Sequence, residues 1–422
     1  MTDSTSDART ALRERFRASQ TEAVRRGEAA RAQLPLPYLR QQAHLTAPAS
    51  EFTLAQKALT NAHAVSARLM DRYGIEADEL SSRLDLPATA VAEVLGGRGA
   101  PVVLLDLEDG IAPHMIQEAR SNAVRLLREV DRGSTLCFIR PAGIEDPRCA
   151  DDLVDILIRA GEGRAPNAYP LDGIVLPKIR HVHEVEWLEE VLSTIEDQLG
   201  LSRYRIRVSF QIETGWGVLN LTQLALAGRD RLAGIILGTV DLSADLGLPE
   251  VRYRHPICEW ARMTIVTVAG AMGVPAIDGM TLDFPVGLPG LSPAENHALV
   301  VDRMAANFDD ARHSIDVGMS GRWAGHPLQL LATELAFRAA FSPTVIDGLI
   351  AELEAFRGAT ADDKGAVAGS RGELLDIGTD RHVRAQLRRA AAWGYITAQR
   401  AEELGLISAA EAEDLSRSSV AP

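Results

Sequence analysis

The feature of this sequence that most constrains its fold is a regular alternation between short apolar runs and longer helical stretches. Eight apolar runs rich in β-branched residues can be counted, at positions 43–47, 101–107, 135–140, 172–178, 205–213, 234–241, 274–278 and 322–326. Most of them are separated by a segment with the periodicity of an amphipathic helix, such as "EVEWLEEVLSTIEDQL". This alternation is typical of an α/β protein with a parallel sheet, and eight strand–helix units predict a (β/α)8 TIM barrel.

The rest of the chain predicts additions to the barrel. Residues 1–40 have the composition of a charged helix and are predicted to form an N-terminal helical extension. The barrel is assigned to residues 41–330, with extra helices inserted at about 66–98. Residues 331–422 are predicted to form a C-terminal helical lid or oligomerisation segment, interrupted by a Gly- and Ala-rich hinge at 358–372.

Composition and charge limit the possible functions. Hydrophobic residues make up 46% and charged residues 24% of the 422 positions, as in a globular protein with a sizeable core. A formal net charge of −14 argues against a nucleic-acid partner, because such binding relies on clustered Lys and Arg. No apolar run approaches the roughly 20 residues that span a bilayer, so no membrane partner is expected.

The cysteines and the start of the chain indicate a compartment. Cys137, Cys149 and Cys258 form no CxxC pair and lack the spacing of zinc ligands, so reduced thiols are expected. The first residues are polar and contain no apolar core, unlike a signal peptide. Together these features predict a cytoplasmic location.

Polar residues stand at the carboxyl ends of most of the predicted strands. The clearest case is "VVLLDLEDG" (102–110), where a buried run ends in three carboxylates within four positions. The polar residues that end the second to sixth runs are Asp106, Glu108, Asp109, Arg140, Lys178, Glu213 and Asp241. In a parallel barrel these ends converge on one rim, where catalytic groups are found. Clustered carboxylates are costly unless a positive group lies among them.

The residue types at these strand ends predict a metal site. Oxygen ligands without clusters of Cys or His suit a hard divalent cation, Mg²⁺ or Mn²⁺, and Glu213 and Asp241 on adjacent strands are the predicted direct ligands. The guanidinium of Arg140 is predicted to bind a substrate carboxylate in bidentate fashion. A metal and an Arg around a small carboxylate form a site that stabilises an enolate.

Eight short motifs in a fixed order extend this interpretation, and the resemblance that they carry covers roughly residues 43–390. They are "LTAPAS…KAL", "LLDLEDGIAP…EAR", "IR", "IVLPK", "QIETGWGVLN", "GTVDLSADLG", "AIDG" and "GRWAGHPLQL". The ordered set resembles the citrate lyase β-subunit-like group of the HpcH/HpaI aldolase/citrate lyase superfamily. The resemblance implies a TIM barrel, a Mg²⁺ cofactor and chemistry on carbon–carbon bonds next to a carbonyl, as in malyl-CoA and citramalyl-CoA lyases.

The resemblance also implies roles for individual residues. Glu213 and Asp241 match the metal ligands, and Arg140 matches the Arg that holds a keto-acid carboxylate. Asp106 and Asp109 match the acidic motif after the second strand, and Asp109 is assigned to the catalytic set together with Arg140. The residues assigned to substrate binding are Arg140, Asp106, Glu108, Lys178, Gly238 and Thr239.

The C-terminal segment "GELLDIGTDRHVRAQLRRA" resembles the lid of this family, which covers the active site of a neighbouring subunit and donates an Asp to it. The resemblance places Asp376 in the role of acid or base near the methyl carbon of the nucleophile. It also implies a homo-oligomer, either a trimer or a hexamer.

Three positions depart from the family pattern and bear on the substrate. Where CoA-ester lyases commonly carry a Lys after the second strand, this chain has Ile116. The family usually carries an Asn after the Arg of the third strand, whereas in this chain Arg140 is followed by Pro141, in "RPAG". The phrase "DLSADLG" is similar to a sister group of CoA-independent aldolases, but that group carries a His where this chain has Asp109.

The sequence therefore predicts a Mg²⁺-dependent carbon–carbon lyase that cleaves or condenses a 3-hydroxyacyl-CoA of malyl or citramalyl type through an enolate. Its expected partner is a small carboxylate or acyl-CoA substrate. Two alternatives stay open at this point. One is an aldolase for free 4-hydroxy-2-keto acids that needs no CoA, and the other is a non-catalytic barrel that binds a metabolite.

Overall fold

The computed structural model describes residues 3–28, 34–97, 100–362, 364–369, 372 and 374–419. Small parts of the predicted segments lie outside these described residues. They are positions 1–2 and 29–33 of the N-terminal extension, position 98 of the insertion, and positions 363, 370–371, 373 and 420–422 of the C-terminal segment.

Eight parallel strands close into a barrel, which confirms the predicted (β/α)8 fold. The strands are β1 (Ala43–Pro48), β2 (Val102–Asp106), β3 (Leu136–Arg140), β4 (Gly173–Leu176), β5 (Arg207–Ile212), β6 (Leu232–Leu237), β7 (Ala276–Asp278) and β8 (Gly321–Ala324). They follow one another around the ring in chain order, and β1 pairs with β8 to close it. Because the strands are parallel, their carboxyl ends form one rim, called the mouth below, and their amino ends form the base.

Helices connect the strands and extend the chain beyond the barrel. They are α1 (Asp3–Glu28), α2 (Phe52–Tyr73), α3 (Ala77–Arg83), α4 (Ala90–Leu95), α5 (Ile116–Glu129), α6 (Arg148–Gly161), α7 (Val182–Leu199), α8 (Gly215–Gly228), α9 (Thr239–Asp245), α10 (Pro256–Met272), α11 (Pro293–Val317), α12 (Pro327–Ala340), α13 (Pro343–Ala361), α14 (Ile377–Ala392), α15 (Ala398–Glu403) and α16 (Ala409–Ser419). A small antiparallel pair, β9 (Val367–Ala368) and β10 (Leu374–Leu375), precedes α14. Among the described residues, no helix has both the length and the apolar character needed to cross a bilayer.

Two predicted irregularities can be compared with the structure. The helices α3 and α4 fall within the predicted insertion at 66–98, between β1 and β2. The predicted hinge at 358–372 is partly helical instead, because α13 continues to Ala361. The side chain of Ala359 is buried there, so packing extends the helix into a stretch whose composition predicted flexibility.

Two apolar layers hold the barrel together. Side chains such as Leu104, Phe138 and Val175 fill the interior. Their neighbours along the strands, such as Leu105 and Ile139, point outward and pack against the helices. Both faces of each strand are therefore buried, which explains why the strands appear in the sequence as continuous apolar runs rather than as an alternating pattern.

The C-terminal helices pack at the base of the barrel. α14 contacts α13 and the turn Leu36–Arg40, which directly precedes β1. The indole N–H of Trp393 donates to the carbonyl oxygen of Leu39 at 2.8 Å. In a single chain, the segment predicted to be a lid is therefore anchored at the end of the barrel opposite the mouth.

One strand-end carboxylate, that of Asp278, has a structural role. It is fully buried at the end of β7, where it accepts hydrogen bonds from Arg262 Nε at 2.8 Å and from the hydroxyls of Ser314 and Tyr253. Burial alone would raise the pKa of Asp278, but the charges of Arg262 and Arg322 outweigh this effect and lower it. Asp278 is thus fully compensated within the fold.

We expect the substitution Arg262→Met to destabilise the protein by about 3–5 kcal/mol, because it leaves a buried carboxylate without its counter-ion. Urea denaturation followed by circular dichroism measures the change. The control is Arg252→Met, which removes a surface Arg paired with Glu250 and should cost less than about 1 kcal/mol. Equal effects of the two substitutions would contradict the structural role of Asp278.

Candidate active site

An ion pair between two neighbouring strands anchors the mouth. β2 ends at Asp106 and β3 ends at Arg140, and the strand register places these residues side by side. Arg140 donates from Nε to Asp106 Oδ1 at 2.7 Å and from Nη2 to Asp106 Oδ2 at 2.8 Å. The indole ring of Trp323 lies 5.1 Å from the Cζ atom of Arg140. The bidentate pair and the cation–π contact together fix the plane of the guanidinium.

Glu108 is a buried carboxylate held between two cations. Its Oε1 accepts a hydrogen bond from Lys178 Nζ at 2.7 Å, and its Oε2 lies 3.0 Å from Arg140 Nη1. Burial raises the pKa of Glu108 despite these two cations. The exposed carboxylate of Asp109 accepts a second hydrogen bond from Lys178 Nζ at 2.9 Å. Both predicted substrate-binding cations are therefore already paired with carboxylates of the mouth.

Lys178 follows β4 in a backbone conformation that is rare for a residue with a side chain. Its φ is +55°, in the left-handed region, which costs about 1–2 kcal/mol. This conformation directs the backbone N–H to Glu213 Oε1 at 2.9 Å. Partial burial opposes protonation of Lys178, but hydrogen bonds to Glu108 and Asp109 outweigh it and raise the pKa of the ammonium. The ammonium of Lys178 lies between two carboxylates, so in this conformation Lys178 is a salt-bridging residue of the mouth.

Glu213 is the least compensated carboxylate of the mouth. It directly follows β5, is completely buried, and accepts a hydrogen bond from Gln211 Nε2 at 2.6 Å in addition to the backbone N–H of Lys178. Burial, together with the nearby carboxylates of Glu108 and Asp241, raises the pKa of Glu213 to about 8. Neutral amide donors alone do not offset the removal of this charge from water.

The loop between β6 and α9 is shaped around Glu213. A Cβ atom built on Gly238 would lie 2.3 Å from Glu213 Oε2, so this close approach requires glycine. Thr239 is buried beside it, and its hydroxyl oxygen has no hydrogen-bond partner in the described part of the chain. Asp241 lies in the first turn of α9 with a partly exposed side chain, and within the described ranges its carboxylate has no hydrogen bond or ion pair.

The mouth carries an excess of negative charge. Its five carboxylates belong to Asp106, Glu108, Asp109, Glu213 and Asp241. The cations Arg140 and Lys178 bind the first three, which leaves Glu213 and Asp241 as the pair that could hold a cation. No group of three or more His, Cys, Asp or Glu residues with the arrangement of a metal site occurs among the residues that the structure describes. A cation here would therefore depend on substrate or water oxygens for its remaining ligands.

Asp376 is the predicted site residue that the structure does not bring to the mouth. Its Oδ1 caps α14 by accepting the backbone N–H groups of Thr379 at 3.0 Å and Gly378 at 2.8 Å. These hydrogen bonds lower the pKa of the Asp376 carboxyl, so the group is an ionised helix cap in this conformation. Because α14 packs at the base, the single chain gives Asp376 no contact with the reacting end of the barrel.

Two residues of the mouth escape prediction from the sequence. Gln211 lies two positions before Glu213, so both side chains point to the same face of β5, and the period-two alternation of a strand could have identified it. Trp323 lies on β8, where the sequence signal for a strand is weak. Nothing in the local sequence indicates that its ring faces Arg140, because the two residues are far apart along the chain.

The family suggested by the motifs is matched by a family model. The model described as HpcH/HpaI aldolase/citrate lyase matches residues 84–285. This range includes every residue assigned to the mouth from Asp106 to Asp241. It does not reach Asp376.

Named relatives match over most of the chain. An L-malyl-CoA/β-methylmalyl-CoA lyase from Cereibacter sphaeroides is 28% identical over 324 residues, which cover 71% of this chain and 91% of the relative. The mitochondrial citramalyl-CoA lyase of Homo sapiens is 25% identical, covering 65% of this chain and 74% of that protein. A solved structure of a citrate lyase from Burkholderia xenovorans LB400 covers 89% of this chain and 96% of its own, with a TM-score of 0.58 and 20% identity, and supports the fold.

The comparisons and the structure agree with each other. The named relatives are lyases, which sets aside the alternative of a non-catalytic barrel. The ordered motifs, the closed barrel and the family match together confirm the resemblance seen in the sequence. The chain matches the HpcH/HpaI aldolase/citrate lyase family over residues 84–285 and is a carbon–carbon lyase.

Proposed function

We propose that this lyase depends on a divalent metal and cleaves or forms a 3-hydroxyacyl-CoA of malyl or citramalyl type. The observation that carries the proposal is the state of Glu213, a fully buried carboxylate at the mouth whose pKa is raised to about 8. A folded protein keeps such an uncompensated acid where a cation binds it during function. The names of the relatives, which are malyl-CoA and citramalyl-CoA lyases, support the choice of substrate class.

The residues present fit Mg²⁺ or Mn²⁺. Glu213 and Asp241 would hold the ion, which agrees with the one or two carboxylates that Mg²⁺ usually takes from a protein. Thr239 follows Gly238, which packs directly against Glu213, and the Thr239 hydroxyl has no partner among the described residues, so this position offers a further oxygen donor. When bound, the ion supplies Lewis-acid chemistry that withdraws negative charge from substrate oxygens.

Arg140 is proposed to anchor the carboxylate of the smaller product. Its Nε edge is occupied by Asp106, but Nη1 faces Glu108 at 3.0 Å and Gln211 Oε1 at 3.5 Å without a well-formed hydrogen bond. A substrate carboxylate would replace these contacts of Nη1 and accept a hydrogen bond from it. The rigid pair with Asp106 then keeps the guanidinium in place, so that binding needs little reorganisation.

The acid or base role of Asp376 and the catalytic role of Asp109 stay predictions. Asp376 could reach a mouth only in a neighbouring copy of the chain, which is the arrangement that the predicted homo-oligomer provides. As an ionised cap it is ready to accept a proton from the methyl carbon in the condensation direction, and it would have to gain a proton before acting as an acid in cleavage. Asp109 is exposed, and its carboxylate forms an ion pair with Lys178, so it can help to hold the ammonium group of that lysine in position.

A CoA-independent aldolase is the second candidate, and one observation favours it. Ile116, which occupies the position of the Lys commonly found in CoA-ester lyases, begins α5 and packs partly buried against the barrel core. This position therefore offers no cation to the phosphates of CoA. Free 4-hydroxy-2-keto acids would not need one.

Calorimetry with Mg²⁺ present separates the two candidates. Oxalate, an enolate mimic, and acetyl-CoA are titrated separately into the protein. Binding of both ligands supports the CoA-ester lyase, whereas binding of oxalate alone supports the CoA-independent aldolase. If neither ligand binds, the proposed mouth chemistry is wrong.

We expect Glu213 to make stability depend on pH in metal-free buffer. Its pKa is about 8 in the folded state and about 4.5 when unfolded, so the folded protein binds more protons between these values and loses stability as pH rises through them. Between pH 5 and 9 the Glu213-dependent loss should be on the order of 4 kcal/mol. Urea unfolding at several pH values measures it.

The matched control for this experiment is Glu213→Gln, which keeps the shape but cannot ionise. The variant should lack this part of the pH dependence, and because Glu108 raises the pKa of Glu213, the difference between the two profiles reports Glu213 together with its coupling to Glu108. Mg²⁺ should restore the stability of the wild-type protein at pH 9 and should have little effect on the variant. Parallel pH profiles for the two proteins would refute the assignment of Glu213.

We expect Gly238→Ala to weaken metal binding at the mouth, with thermal unfolding checking that the variant is folded. The added methyl group would lie 2.3 Å from Glu213 Oε2 and 2.5 Å from Glu213 Cβ, so the carboxylate and the backbone beside it must shift. Calorimetric titration of Mn²⁺ should show at least about a tenfold loss of affinity, which is about 1.4 kcal/mol. The control is Gly348→Ala, at a helical glycine with open space around it, which should bind Mn²⁺ like the wild type.

A further inference from the structure

The base of the barrel contains a cavity that the lyase chemistry does not use. Its volume is about 730 Å³, within the usual range for small-molecule sites. It is bordered by the turn before β1, the loop before β3 and the start of β5, all of which lie at the amino ends of the strands. The mouth is at the other end of the same strands, so the two sites are separated by the packed interior of the barrel.

The wall of this cavity is positively charged. Five arginines line it, and they are Arg40, Arg132, Arg203, Arg205 and Arg207. Among the described residues, two carboxylates belong to the same wall, those of Asp172 and Asp414, and Asp414 has an interaction of its own. The chain as a whole has a formal charge of −14, so this concentration of cations runs against its overall composition.

The carboxylate of Asp172 does not neutralise the cluster. Its Oδ2 accepts from Arg132 Nη1 at 2.5 Å and from the backbone N–H of Cys137 at 2.8 Å. Three guanidinium groups of the wall, those of Arg40, Arg205 and Arg207, form no ion pair with Asp172, which is bound by Arg132. Their N–H groups donate to backbone carbonyl oxygens. These neutral acceptors offset only part of the free-energy cost of burying a cation.

Arg40 and Arg207 are the arginines of this wall whose charge is least compensated by hydrogen bonds. Arg40 has one long hydrogen bond of 3.4 Å, to the carbonyl oxygen of Pro37, and Arg207 has one of 3.0 Å, to that of Asp230. Burial lowers the pKa of both guanidinium groups. Tyr38 also lines the cavity. Its ring lies 5.9 Å from the Cζ atom of Arg207, and its hydroxyl donates to the carbonyl oxygen of Asp172. Tyr38 therefore holds the wall in shape without supplying negative charge.

We propose that this cavity, the basal arginine site, binds a small anion that carries phosphate groups. Guanidinium groups present planar pairs of N–H donors that match phosphate oxygens, and several of them in one cavity suit a multiply charged group better than a single carboxylate. The unused donors of Arg40 and Arg207 would bind it. This inference does not rest on the proposed function, since none of its residues belongs to the mouth.

Inorganic pyrophosphate is the probe, titrated by calorimetry into the full chain in buffer freed of metal by a chelating resin. The wild type should bind it, with an affinity that falls as salt is added. The double substitution Arg40→Gln and Arg207→Gln should weaken binding at least about tenfold. The control Arg229→Gln removes an Arg that also lies near the base but does not line the cavity, and it should change the affinity by less than about twofold.

Two further measurements decide between explanations. Arg140→Gln should leave pyrophosphate binding unchanged, because that residue belongs to the mouth. Thermal unfolding should show that the basal variants are folded. If the double variant is not folded, the titration is repeated with each single substitution. Absence of pyrophosphate binding would overturn the proposal, as would a loss in Arg140→Gln but not in the basal variants. If the basal variants change oligomeric state in sedimentation but keep their affinity for pyrophosphate, these arginines form a contact between copies of the chain. That result would also overturn the proposal.

Discussion

Closure of the parallel barrel is the constraint on which the rest of the structure depends. The seam between β1 and β8 is so tight that a Cβ atom on Gly321 would lie 1.9 Å from the carbonyl oxygen of Gln41. Once the ring is closed, the carboxyl ends of eight strands must share one rim, whatever charges they carry. The acidic mouth is therefore a consequence of topology, and the electrostatic cost of crowding its carboxylates must be offset locally.

Local compensation divides the strand-end carboxylates into two kinds. Asp278 faces the guanidinium of Arg262, which lowers its pKa and makes it part of the core. Glu213 faces only amide donors from Gln211 and the backbone of Lys178, and its pKa is raised to about 8. The two acids occupy similar positions at strand ends, so the difference lies in the presence or absence of a facing cation. That difference separates a residue that stabilises the fold from one suited to binding a metal.

The two ends of the barrel have opposite charge. Carboxylates dominate the mouth, whereas arginines that include Arg40 and Arg207 dominate the base. An anionic substrate is thus not drawn to the mouth by the overall field of a protein with a charge of −14. Under the proposed function its binding comes from short-range partners, namely Arg140 and a bound cation, and the bidentate pair with Asp106 holds Arg140 in place.

The sequence by itself determined the barrel and the chemical types at its rim, because strand count, periodicity and the residue after each apolar run are local properties of the chain. It also placed Glu213 among the acids that need a cation. Only the tertiary structure decided which charges are satisfied. It pairs Asp278 with Arg262, uses Asp376 as a helix cap and gathers distant arginines at the base. Burial and ion pairing depend on contacts between residues far apart in sequence, and those contacts exist only after the barrel has closed and the terminal helices have packed.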